Sequence, residues 1–287
     1  MSTWPDVTWA APAKLNLFLH VMGRRDDGFH DLQTVFQFLD LHDTLCFRPR
    51  QDGRIVRHGG LATVPVDEDL VVRAARTLRL QAGRRGDSGV DIVLAKRIPD
   101  QAGLGGGSSD AATTLVALNY LWSLNLGLDE LAVLGAQLGA DVPVFIHGHA
   151  AWAEGRGDQL APVTLPEPWY LVVKPDCAIS TATLFASPDL RRDSEALCLA
   201  ELLAGQGRND FQPLAEAACP DVAEALAWLG QFGPARLTGT GACVFVPFGS
   251  RKEALEAHAD LPEPWQGFVT RGLNRSPLLD SLDAARH

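Results

Sequence analysis

The sequence predicts an α+β protein built in two lobes. Three features carry this expectation: a strand-like alternation near the start, a glycine-dense turn between an extended run and a helical one, and a later succession of strands and helices without the regular beat of a doubly wound sheet. At 287 residues the chain is long enough for two domains, each able to bury a core unaided. The stretch from Ala161 to Trp169 carries three prolines and is the linker candidate. It divides the chain into an N-terminal domain over 1–160, holding the glycine-rich loop, and a C-terminal domain over 161–287.

Leu15, Leu17, Leu19 and Val21 alternate with Asn16, Phe18 and His20, so a strand with one face packed inward is expected, with Lys14 and Asn16 together on the other. Gly89 to Ala95 is a second extended run, leading through Lys96 and Pro99 into the segment AGLGGGSSD. A helix is expected from Ser108, because Ala111, Ala112, Leu115, Leu118 and Leu121 recur at helical spacing and Ser108, Ser109 and Asp110 can cap its start. Leu128 to Leu138 is predicted helical and stopped by Gly139, after which DVPVFI is expected to return to extended chain around Pro143. Beyond the linker, Tyr170–Lys174 and Cys243–Val246 are expected strands, and Glu195–Ala204, Val222–Leu229 and Arg251–Ala259 expected helices.

With 35 acidic against 25 basic residues, the net charge of −10 argues against a generic grip on nucleic acid or an anionic membrane. An anionic small substrate must then be held by local donors. No secretory signal follows the start MSTWPD and no run of about 18 apolar residues is present, so a soluble, cytoplasmic protein is expected. The five cysteines are scattered without a CxxC pair, as isolated thiols of a reducing compartment would be. His147 and His149 are expected in a polar turn, and the pairs Arg24–Arg25 and Arg84–Arg85 as solvated surface charge.

Four of the five residues from Gly103 to Gly107 are glycine, and they feed a helix. Such a loop lets a ligand approach the backbone while unpaired amides at the helix N-terminus point at negative charge, so a phosphate site is expected. No lysine follows as a Walker A loop requires, and the third glycine of a dinucleotide fingerprint falls on Ser108 or Asp110. The remaining pattern, PxxxGLGGGSSD, resembles the phosphate loop of the GHMP kinases.

Four further segments occur in register with it: APAKLNLFLHV (Ala11–Val21), DGFHDLQTVFQ (Asp27–Gln37), GADVPVF (Gly139–Phe145) and TGTGACVF (Thr238–Phe245). Together they resemble one GHMP family, the 4-diphosphocytidyl-2-C-methyl-D-erythritol kinases, from about Trp9 to about Phe248. The resemblance implies the two-lobed GHMP-kinase fold with its active site in the cleft between lobes. It also implies transfer of the ATP γ-phosphoryl group to the 2-hydroxyl of a cytidine-diphosphate-bearing alcohol in the non-mevalonate isoprenoid precursor pathway, with Mg2+.

By the same resemblance, Asp141 is the general base and Lys14 lies beside it and the reacting hydroxyl, where an ammonium stabilises a developing alkoxide or the phosphoryl oxygens. Asn16 supports substrate or lysine. Pro99, Asp100, Gln101, Ala102, Gly103, Leu104, Gly105, Gly106, Gly107, Ser108 and Ser109 form the ATP loop. A cytosine ring needs a stacking surface and a polar edge reader, which Phe29 and His30 supply, and Phe185 would close the sandwich from the other lobe. Phe29 stands where the family usually has tyrosine, Gln101 where small residues are common, and Thr238 where serine is frequent. Ser108, Ser109 and Glu130 are conceivable metal ligands, but none has ligand spacing, and the metal residues are left open. A kinase of another small alcohol would have no use for Phe29, His30 and Phe185, and a non-catalytic descendant would be expected to lose Lys14 or Asp141.

Overall fold

A computed structural model describes residues 7–61, 64–81, 83 and 88–286, so the Arg84–Arg85 pair lies outside the described residues. Before the proline-rich stretch run β1 (Trp9–Arg24), β2 (His30–Arg50), β3 (Ile55–Gly59), α1 (Leu70–Gln81), β4 (Gly89–Ala95), α2 (Gly106–Leu121), α3 (Leu128–Ala136), α4 (Val142–His147), β5 (Ala151–Glu154) and β6 (Gln159–Pro162). After it come β7 (Trp169–Lys174), α5 (Thr181–Ala186), α6 (Leu199–Leu203), α7 (Gln212–Ala218), α8 (Pro220–Leu229), β8 (Arg236–Leu237), β9 (Val244–Phe248), α9 (Arg251–Ala259), β10 (Gln266–Leu273) and α10 (Pro277–Arg286). The strands join in the order β3-β4-β2-β10-β7-β9-β8, with β1 and β5 also on β2, and β10 is the strand that bridges the two halves.

One core lies between the first-half strands and their helices, where Phe38, Ile92, Leu115, Leu118 and Phe145 meet. A second packs Leu171, Val173 and Val244 against Val222 and Leu229 of α8. Leu278 and Leu282 of α10 enter the first core, so the end of the chain returns to the half in which it began. Helix α2 is buried on every side from Ser109 to Leu118, which explains why its start can be held rigidly.

Several expectations hold: β4 and α9 span the residues read from sequence, and β7, β9 and α8 differ by a residue or two. Others are corrected. Both faces of β1 are buried, Phe18 and His20 as fully as Leu15 and Val21: Leu19 and Val21 enter the second core, Phe18 packs with Val35, Ala150, Leu165 and Leu202, and the His20 ring bonds Glu195 O. Helix α2 starts at Gly106, capped by Gly105, so Ser108, Ser109 and Asp110 are inside the helix and cap nothing. The segment DVPVFI is not extended: it forms α4, with Asp141 at the N-cap and Pro143 in the first turn, where a proline's missing N–H costs no hydrogen bond. Only Leu199–Leu203 of the expected helix 195–204 is helical.

Cys177 and Cys219 are paired as a disulfide across 42 residues, and only Cys46, Cys198 and Cys243 are free. Five isolated thiols were expected, because a pairing between the approach to α5 and the α7–α8 junction leaves no local spacing to read.

Candidate active site

The site grows from irregularities in β1. Its register on β2 slips between Pro12 and Lys14 and again between Asn16 and Leu19, and such bulges release backbone groups from the ladder. The freed amides are used elsewhere: Lys14 N donates to Leu104 O (3.0 Å), Asn16 N to Thr238 Oγ1 (2.9 Å) and Leu19 N to Arg208 O (2.9 Å). One strand thereby fastens the glycine loop and the second half to the first.

Within the loop, Gly103 and Gly105 both have φ of 72°. A Cβ on Gly103 would lie 2.1 Å from the Thr238 carbonyl oxygen, and one on Gly105 would lie 2.8 Å from the Phe145 ring and 3.1 Å from Lys14 Cε. Only glycine permits this backbone to touch both the 238–241 turn and the Lys14 stem. No side chain caps α2, so its first amides face outward as donors, the arrangement that receives phosphate oxygens. Beneath the loop, Ala102 and Leu104 are buried and anchor it in the core between the halves.

At the base, Lys96 Nζ lies 2.5 Å from Asp43 Oδ2 and 2.7 Å from Asp110 Oδ2. Burial opposes the charge on Lys96, yet the two carboxylates together raise its pKa. Burial pushes the Asp110 carboxyl up to about 8, against the pull of Lys96. Asp43 Oδ1 meanwhile accepts from the amides of Arg97 and Ile98, which pins the entry to the loop.

Beside the loop, Lys14 is 3% exposed, and its Nζ donates to Asn16 Oδ1 (2.5 Å) and sits 3.3 Å from Asp141 Oδ2. Asn16 Nδ2 donates to Thr34 Oγ1 (2.9 Å), which fixes the amide and in turn the lysine. Asp141 is held at the start of α4 with about a third of its side chain exposed. A buried ammonium thus meets a carboxylate open to a cavity of about 930 Å3 that both halves line.

The sequence-expected residues divide as follows. Lys14, Asn16, Asp141, Phe29, His30, Phe185, Gln101, Gly103, Gly105 and Ser108 line this cavity. Pro99, Asp100, Ala102, Leu104, Gly106, Gly107 and Ser109 do not. Gln101, at φ 49°, stands in the left-handed region at the loop entrance with its side chain exposed. Ser109 Oγ is buried without a hydrogen-bond partner among the described residues. Glu130 caps α3 through Gly127 N (2.8 Å), and no cluster of three or more metal-ligating side chains occurs among the described residues. His149 pairs in an isolated bridge with Arg275.

Phe29 is 49% exposed, with the Arg156 guanidinium 3.7 Å from its ring centroid. The ring that Phe185 faces is His30, at 5.1 Å, while its other contact is Phe211 at 4.7 Å. Burial first, then Arg192 and Arg24, lower the His30 pKa.

Sequence reasoning passed over several residues here. Arg24, read as surface charge, and Arg156, in the unassigned AEGRGD turn, both line the cavity, as does Thr181. The position of Arg156 between Gly155 and Gly157 was the available signal, since glycines on both sides of a cation mark a tight turn that can bring it to a ligand.

Residues 69–149 match the family model "GHMP kinases N terminal domain" and residues 188–267 match "GHMP kinases C terminal". The chain is 55% identical over 275 residues to the 4-diphosphocytidyl-2-C-methyl-D-erythritol kinase of Nitrosococcus oceani, covering 96% of this chain and 98% of that one. It is 56% identical over 274 residues to the protein of the same name from Alkalilimnicola ehrlichii, covering 96% and 94%. A solved 4-(cytidine 5'-diphospho)-2C-methyl-D-erythritol kinase superposes with a TM-score of 0.81 at 32% identity over 92% of this chain and 98% of that one. Methanococcus jannaschii mevalonate kinase shares the fold, with a TM-score of 0.70 at 17% identity over 95% and 99%.

Proposed function

The chain belongs to the 4-diphosphocytidyl-2-C-methyl-D-erythritol kinases, a family of GHMP kinases, and from that membership we infer that it phosphorylates the 2-hydroxyl of 4-diphosphocytidyl-2-C-methyl-D-erythritol in the non-mevalonate isoprenoid pathway. GHMP kinases use ATP as the phosphoryl donor. The single observation that carries the reading is the 3.3 Å approach of Lys14 to Asp141 in a cavity also lined by the glycine loop. Phosphoryl transfer asks chiefly for alignment and for charge stabilisation around the moving group, and this arrangement offers both.

In the reading, the free amides at the start of α2 hold the polyphosphate, and Asp141 accepts the proton of the acceptor hydroxyl. Lys14, kept in place by Asn16, offsets negative charge on the attacking oxygen or the transferred phosphoryl group. Phe29 provides a stacking face for cytosine, with His30 and Phe185 at its edge. Mg2+ would be carried here largely by ATP phosphates and water, with Ser108, the loop serine that lines the cavity, as the residue able to hold it; Glu130, engaged in its own helix cap, is set aside. An ion held there would supply charge neutralisation at the ATP phosphates. We place the domain boundary at 160/161 and the protein in the cytoplasm, consistent with ATP as donor and with the absence, among the described residues, of any helix long and apolar enough to cross a membrane.

A steady-state assay with ATP, Mg2+ and the cytidylated acceptor tests the proposal. ADP should form in step with the 2-phosphate. Folded protein that releases no ADP above background would refute it.

A further inference from the structure

Arg192 lies outside every motif singled out in the sequence. Its guanidinium makes four hydrogen bonds: Nη2 donates to the carbonyls of Phe185 (3.0 Å) and Ser187 (2.8 Å), Nη1 to that of Leu190 (3.0 Å), and Nε to Nε2 of His30 (3.0 Å). Three carbonyls fix the fork on the segment that ends α5. The fourth partner is a ring nitrogen 162 residues away, on the first residue of β2. One side chain therefore ties together the two elements that supply His30 and Phe185 to the cavity.

The chemistry of that fourth bond is restrictive. A guanidinium only donates, so the His30 Nε2 it meets must offer a lone pair. The ring is then neutral with its proton on Nδ1. The charged groups facing His30 are Arg192, from the segment after α5, and Arg24, from the end of β1, while α5 presents the apolar Phe185; burial and both cations favour the neutral ring. Nδ1 has no hydrogen-bond partner among the described residues, and His30 lines the cavity beside Phe29.

We propose that Arg192 is a positioning residue that holds His30 in the Nδ1–H tautomer, so that the cavity presents a fixed hydrogen-bond donor that selects a cytosine over a uracil ring. The inference rests on the cytidylated acceptor proposed above. Cytosine and uracil both accept at O2, but N3 is an acceptor in cytosine and carries a hydrogen in uracil. A donor held at that edge pairs with the first and meets the N–H of the second, whereas a ring free to exchange tautomers or flip would serve either.

The experiment compares CDP and UDP as competitive inhibitors against the acceptor at saturating ATP, in the full-length protein and its Arg192→Gln and Arg192→Lys variants. The wild type should prefer CDP by about tenfold or more, the scale of one hydrogen bond made against one lost. Arg192→Gln, whose amide can donate or accept, should lose most of that ratio through weaker CDP binding. Arg192→Lys, still a donor without an acceptor, should retain the larger part. Nitrogen NMR of the His30 ring, assigned by the loss of its signals in His30→Asn, should report Nδ1–H in the wild type. In Arg192→Gln it should report a tautomer mixture and a titration moved upward, since a cation has gone. Equal weakening of CDP and UDP with the ratio kept would mean that Arg192 only supports the fold and would overturn the proposal. An Nε2–H ring in the wild type would do so independently of whether any variant folds. If CDP does not compete in the wild type at all, the acceptor reading itself fails, a result distinct from a wild type that binds CDP without discriminating against UDP.

Discussion

Lys14 and Asn16 are two residues apart on β1, and both are almost fully buried. A buried ammonium must be paired, and here its partners are the Asn16 oxygen at 2.5 Å and the Asp141 carboxylate at 3.3 Å. Asp141 is the more exposed of the ion pair, which leaves it open to a ligand in the cavity. Replacing the carboxylate by an amide of the same shape removes the proposed proton acceptor and the charge facing Lys14, while the Asn16 oxygen still holds the ammonium. Asp141→Asn should lower kcat by about two to four orders of magnitude, the usual contribution of a general base, with the KM for ATP nearly unchanged. Turnover near that of the wild type would take the base role away from Asp141. The spacing of Lys14 and Asn16 could be read from sequence because both sit on one face of β1 where its register is unbroken. The exposed stack of Arg156 on Phe29 could not, since it joins two turns on separate hairpins.

Elements meet at the glycine loop. Strand β1, the loop, the start of α2 and the 238–241 turn are bonded into one unit through Lys14, Asn16 and Thr238, whose hydroxyl also donates to Gly103 O (3.3 Å). Gly103→Ala should disrupt it. The left-handed φ costs about 1 kcal/mol for alanine, and the new methyl would overlap a backbone carbonyl that cannot move without the rest of its turn. We expect the urea midpoint to fall and ATP binding by titration calorimetry to be lost; a variant that binds ATP like the wild type would disprove the coupling. The trio Asp43, Lys96 and Asp110 beneath the loop gives a pH signature. Burial raises the Asp110 pKa to about 8, so between the unfolded value near 4 and that limit the native state binds more protons than the unfolded one. Stability from this group is present at the low end of the window and is lost as pH rises through it. Asp110→Asn should therefore gain on the wild type by at least about 1 kcal/mol in urea unfolding between pH 5 and pH 8. A constant difference across that range would contradict the assignment. Helix α4 shows where local reading misleads, because a proline among apolar residues suits an extended run and a first helical turn equally.

Across the whole molecule, a net charge of −10 coexists with a cavity lined by Lys14, Arg24 and Arg156. Neither Arg24 nor Arg156 forms an ion pair with a carboxylate among the described residues, in contrast to Arg25, which bonds Asp27 and Asp31. A surplus of positive charge in a cleft of an oppositely charged protein, here three cations against the carboxylate of Asp141, draws in a polyanionic substrate locally. Arg24→Ser and Arg156→Ser should each raise the KM for the acceptor severalfold and flatten its increase with salt, as screening then has less to remove. An unaltered KM and salt slope in either variant would leave that arginine as ordinary surface charge. The strand β10 bridging both halves and the return of α10 to the first core, through Leu278 and Leu282, join the two halves that line the cavity.

The sequence by itself determined the mixed α+β class, the glycine loop before a helix, the shared face of Lys14 and Asn16, and the family. Each depends on residues within a few positions of one another, or on motifs whose order along the chain is enough. Tertiary structure alone decided the cover over both faces of β1, the pairing of Cys177 with Cys219 and the reach of Arg192 to His30. Backbone geometry imposes a period on neighbouring residues, but a buried polar group takes whatever complementary partner packing brings to it, and no spacing in the chain encodes that choice.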